Sequence, residues 1–175
     1  MVQPHVPDAP RRGAARASLG PAARVTAAVR WGSAVLTGGG VLLTLIRYPG
    51  LPDRVPSHID ATGHVDAWSG RWSVLLLLAT WVVLQGAVHW LSRRPDLLTY
   101  PVELTERNTA AVHRAGERMT VGLGAGLALV LAGLTGMTLG MSTFMLVVTG
   151  LAATVGATVV GAVRILRAGR QSGSD

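Results

Sequence analysis

The chain has 175 residues, 49% of them apolar and only 14% charged, with a formal charge of +7 from sixteen arginines and no lysine. A soluble domain carries roughly 25% charged residues, so the composition argues against a soluble enzyme, and the apolar content argues against a disordered chain. There is no cysteine, which excludes disulfides, thiolate metal sites and cysteine nucleophiles.

Residues 1–23 are rich in Pro, Ala and Arg, lack a hydrophobic pattern, and are expected to form a disordered cytoplasmic tail. A bilayer-crossing helix needs about 20 mostly apolar residues. The first such span is 25–46, if Arg30 is accepted near its start as a side chain that snorkels to the interface. No small-x-small cleavage site follows it, so it is expected to remain as an uncleaved helix. Three uncharged spans follow at 72–91, 121–139 and 143–163. Residues 24–166 therefore predict an all-α integral membrane protein, a four-transmembrane-helix bundle with an external loop at 47–71, a cytoplasmic loop at 92–120 and a tail at 167–175.

Arginine placement sets the expected orientation. Arg11, Arg12, Arg16, Arg24, Arg30, Arg93, Arg94, Arg107, Arg114, Arg118, Arg164, Arg167 and Arg170 fall on one side. Arg47, Arg54 and Arg71 fall on the other, balanced there by Asp53, Asp60 and Asp66. The positive-inside rule places both termini in the cytoplasm. The whole net charge then faces the cytoplasm, where anionic lipid is its natural partner. No reading motif accompanies this charge, so nucleic acid is not expected as a partner. Exclusive use of Arg, with much Ala, Gly and Val, suggests a GC-rich bacterium and the bacterial cytoplasmic (inner) membrane.

Within the second span, Trp81, Gln85 and His89 fall at i, i+4 and i+8 and share one helix face. Polar side chains there face the bundle or a water-filled path rather than lipid. The third and fourth spans carry small-xxx-small pairs at Gly122 and Gly126 and at Gly136 and Gly140, with Gly150, Gly156 and Gly161 following. Such residues allow close helix approach, within the chain or in a homodimer. In the cytoplasmic loop, Pro101 predicts a helix from about Val102 that runs into the third span. Glu106, His113 and Glu117 would then lie on one face of it, with Asn108 close by, as a solvated row, a metal or proton site, or a surface for a cytoplasmic regulator.

The external loop holds the densest chemistry. Pro49, Pro52 and Pro56 favour extended backbone, and Gly63 favours a turn. His58, Asp60, His64 and Asp66 lie within nine residues. Imidazoles and carboxylates around a turn can cap it by hydrogen bonding, or His58, Asp60 and Asp66 can ligate a divalent cation. Their spacing fits no standard zinc or calcium pattern, and no other cofactor is expected.

The string Leu51-Pro-Asp-Arg-Val-Pro-Ser-His-Ile-Asp-Ala-Thr-Gly-His-Val-Asp-Ala-Trp68 resembles the signature of the domain of unknown function 1648 family. In that family a membrane helix is followed by Leu-Pro, then Ile-or-Val-Pro, His, Asn-or-Asp, Gly and Asp. The positions here are Leu51, Pro52, Val55, Pro56, His58, Asp60, Gly63 and Asp66, and Arg71 matches the basic residue that usually precedes the next helix. Thr105 and Asn108 echo a polar Thr-x-x-Asn segment of the family. A similar membrane module opens the immunity proteins that protect bacteria against the sporulation-delay toxin. The resemblance implies an immunity, stress-sensing or signalling component that recognises a peptide toxin or another envelope ligand through the 47–71 loop. Two alternatives are a metal-assisted membrane enzyme built on His58, Asp60 and Asp66, and a small transporter component using Gln85 and His89.

Overall fold

The computed structural model describes residues 20–170. In chain order they form α1 (Pro21–Arg47), β1 (Arg54–Ile59), β2 (Val65–Gly70), α2 (Trp72–Leu91), α3 (Thr109–Thr138) and α4 (Phe144–Arg170), with single 3-10 turns at Tyr48–Gly50 and Pro95–Leu97. All four helices are long and apolar enough to cross a membrane. The chain is an all-α four-helix membrane bundle, with one small antiparallel hairpin between the first two helices.

The helices follow the rule for lipid, where small and polar residues face inward and large apolar ones outward. On α1 the buried positions are Ser33, Thr37 and Thr44, while Val35, Leu36, Leu42, Leu43, Leu45 and Ile46 are exposed. Thr44, Thr120, Thr135, Thr138 and Thr154 each return their hydroxyl to a backbone carbonyl three or four residues earlier, which satisfies the donor without water. Exposed Trp68 and Trp72 mark the hairpin end, and exposed Trp31 and Trp90 mark the far end, as expected of two membrane interfaces.

α3 is the central helix. It packs against α1, α2 and most extensively α4. Glycine makes the α3–α4 approach close. A Cβ on Gly126 would lie 2.8 Å from the Gly150 carbonyl oxygen, and one on Gly150 would lie 2.7 Å from the Gly126 carbonyl oxygen. Gly122 meets Ala157, and Gly133 meets Val147. The turn between the two helices is a Schellman motif: Met141 N–H donates to Gly136 C=O and Gly140 N–H to Met137 C=O, with Gly140 at φ +78°.

Several boundaries differ from those expected. α2 matches 72–91, but α1 begins at Pro21 rather than 25, because proline is well placed in a first turn. Residues 1–19 of the expected tail, and 171–175 at the other end, lie outside the described residues. α4 runs through 167 to Arg170, so the tail does not begin where the apolar run ends. α3 begins at Thr109, well before 121 and after Val102. Asn108 decides this start. Its Oδ1 accepts from Thr105 N–H (2.8 Å) and its Nδ2 donates to Glu103 C=O (2.9 Å), which folds 103–108 into a turn. Glu106 therefore precedes the helix and does not share a helical face with His113 and Glu117.

Valine at Gly126 would force side-chain atoms against backbone of α4 that cannot move aside. We expect Gly126→Val to cost about 1–3 kcal/mol or more, read by circular dichroism during dodecyl sulfate titration. Gly156→Val, where a Cβ meets nothing within 4 Å, should be near neutral.

Candidate functional site

The segment expected as an extended loop with a turn is a two-stranded hairpin. Its root is fixed by packing. Val55 is fully buried with Leu51, Val74, Leu78 and Leu131. Arg71 N–H closes the base by donating to Asp53 C=O at 3.0 Å. The pairing is irregular on both sides of His58, so the outer half of β1 turns away from the pattern set at the root.

Asp60 organises the tip. Its Oδ1 accepts from Thr62 N–H (2.8 Å), Thr62 Oγ1 (2.6 Å) and His64 N–H (2.9 Å). Gly63 N–H donates to Asp60 C=O, and Gly63 itself sits at φ +93°, which a side chain would strain. A second constraint acts on the same glycine: it faces the Phe144 ring at the start of α4, and a Cβ would lie 3.1 Å from ring carbons. The hairpin is thus rooted between α1, α2 and α3 and touches down on α4.

Beneath it lies a cavity of about 600 Å³. α2 and α4 are not packed against each other, and the space between them, backed by α3, stays open. Leu77, Leu134, Met137, Val147 and Leu151 form its walls, and residues 56–61 of the hairpin roof it. Its polar lining comes from Ser57, His58, Asp60, Ser73 and Thr138. Nothing in the linear pattern announced this cavity. The one available signal was Phe144, the single phenylalanine of the chain, placed just after the α3–α4 turn.

The sequence candidates are distributed unequally. His58 Nδ1 lies 2.6 Å from Asp66 Oδ1 across the strands, with both side chains largely exposed. Asp60 is instead committed to Thr62 and His64. The expected three-ligand cation site of His58, Asp60 and Asp66 does not assemble, and among the described residues no group of three such side chains could hold a metal. Pro56 lies over the cavity, Pro52 is exposed before β1, and Trp68 is exposed on β2 opposite Pro56. Hydrogen bonding to Thr62 and His64 holds the Asp60 carboxyl below its ordinary value of 3.8.

The far end of the bundle carries a separate polar network. Arg30 is turned inward rather than snorkelling: its Nη2 lies 2.5 Å from Glu117 Oε1 on α3 and donates to Ser92 C=O at the end of α2. Arg93 stacks over Trp31, whose ring meets His89 edge-on. Gln85 Nε2 donates to Gly124 C=O and Trp81 Nε1 to Leu127 C=O, so this α2 face is spent on α3. His113 stacks on Tyr100, whose hydroxyl donates to Pro95 C=O; burial, with Asp96 nearby, pushes that phenol up from its ordinary value. Asn108 is buried in its turn and Glu106 is exposed.

Residues 35–83 match the family model described as Domain of unknown function (DUF1648). The matched segment runs from within α1 through the hairpin into α2, and so contains the cavity's roof and one of its walls. No curated protein matches the chain, and no solved structure does.

Two outcomes follow. Asp60 is ionised in the folded tip below its ordinary value, so its contribution is present above pH 3.8 and lost as pH falls through the lower folded value. The acidic titration step of the Thr62 and His64 amide resonances should have its midpoint below 3.8. Glu117 is about a third exposed, 35%, so Arg30→Ala and Glu117→Ala should each cost about 1–2 kcal/mol, less than a sealed ion pair. A double-mutant cycle in dodecyl sulfate should show clear non-additivity.

Proposed function

We propose that this protein is a non-enzymatic receptor of the bacterial cytoplasmic membrane, serving immunity, stress sensing or signalling, and that the 47–71 hairpin recognises an envelope or extracellular ligand. The arginine distribution supports cytoplasmic termini and an external hairpin. The observation that carries the reading is the hairpin's placement: rooted in the core at Val55 and seated on Phe144, it spans a cavity of about 600 Å³, within the range of small-ligand sites. The resemblance of this segment to the membrane module of sporulation-delay immunity proteins supports the same role.

α3 gives such a receptor a route inward. It forms the cavity's back wall through Leu134 and Met137, and it carries Glu117, the partner of Arg30, toward the other end. A ligand seated between α2 and α4 bears on α3 and, through it, on the cytoplasmic turn at 103–108, where a regulator can dock.

The test is protection of a sensitive bacterium challenged with envelope-active peptides and toxins. Insertion is checked by labelling Thr62→Cys from outside, which the cysteine-free chain makes unambiguous. Wild type should protect, and His58→Ala/Asp66→Ala should not, at equal levels in the membrane. Equal protection by both would reduce the hairpin to a structural element. No protection by well-inserted wild type would count against the receptor role.

A further inference from the structure

We propose that the cavity under the hairpin takes a single-chain amphiphile with a cationic, amine-type headgroup, the tail lying between α2 and α4 and the headgroup at the hairpin. This rests on the receptor reading above and names its ligand class.

Shape gives the first argument. The space of about 600 Å³ lies between α2 and α4 and is backed by α3, which suits a flexible chain that can follow the helix surfaces. The walls are aliphatic, from Leu77, Leu134, Met137, Val147, Val148 and Leu151, and offer a tail dispersion contacts without a polar partner. The space opens between two helices that do not pack on each other, so a tail can enter sideways from the bilayer.

Charge gives the second argument. The ionisable side chains lining the cavity are Asp60 and His58, and His58 is held on the carboxylate of Asp66. Among the described residues no arginine lines it; Arg54 and Arg71 stand at the hairpin's base, away from the tip. The lining therefore offers one carboxylate, Asp60, beside the His58–Asp66 pair, with hydroxyls from Ser57, Ser73 and Thr138. This favours an ammonium donor and repels phosphate, sulfonate and carboxylate heads. Phospholipids of the bilayer, with two tails and a phosphate, are the wrong match on both counts.

The experiment uses the full chain in phosphatidylcholine nanodiscs, with empty discs as the blank, at mildly alkaline pH. Isotope-labelled dodecylamine and dodecanesulfonate are the probes. The expected result is saturable uptake of one dodecylamine per chain, roughly tenfold tighter than the sulfonate, as one charge-assisted contact supplies. Leu134→Trp, which fills the cavity, should abolish it. Ser57→Arg, an exposed strand position where the fold is easily kept, should reverse the headgroup preference. Equal uptake of both probes, uptake no greater than in empty discs, or a preference unchanged in a folded Ser57→Arg protein overturns the proposal. If it is overturned while His58→Ala/Asp66→Ala still loses protection, the receptor reading stands with a ligand of another class.

Discussion

The close approach of α3 to α4 is the constraint from which the rest of the architecture follows. Glycines at 122, 126, 133 and 150 let the two backbones meet almost directly, and the Schellman turn at Gly140 brings α4 back along α3 without slack. In lipid there is no hydrophobic drive between helices, so this packing and the hydrogen bonds around it must hold the pair. Once α4 is committed to α3, it is out of reach of α2. α2 meets α3 on another face through bulkier side chains, Leu78, Trp81 and Gln85. The space between α2 and α4 is a consequence of that geometry, not of any feature of its own lining.

The hairpin converts this gap into a site. Val55 enters the core at its root and ties the base of the hairpin to the surrounding helices. The irregular register near His58 redirects the outer half, and the Asp60-centred turn presents Gly63 to Phe144. Polar groups that would be costly in hydrocarbon are thereby placed at its edge, over aliphatic walls.

At the other end the logic is reversed, with polar groups used to join helices. Arg30 links α1 to Glu117 on α3 and to the Ser92 carbonyl that ends α2. Three elements thus share one guanidinium, whose planar fork suits several acceptors at once. Tyr100, Val102 and Asn108 fold the intervening segment onto α3 and α4. This end is therefore an ordered surface, not a loose connection between spans.

The sequence by itself determined the four spans, because length and the absence of charge are local properties that the bilayer reads directly. It also determined the turn at Gly63 and the inward face of Trp81, Gln85 and His89, since a turn glycine and helical periodicity depend only on neighbours in the chain. Tertiary structure decided which groups meet. Arg30 has the residue pattern of a snorkelling side chain, yet Glu117 lies 87 positions away and turns it inward. His58, Asp60 and Asp66 are close in sequence, but strand pairing gives His58 to Asp66 and the turn keeps Asp60. The start of α3 was settled by the side chain of Asn108, which competes with helical hydrogen bonding in a way periodicity cannot register. The cavity was settled by the distance between α2 and α4, which no segment contains and only the packing of α3 between them defines.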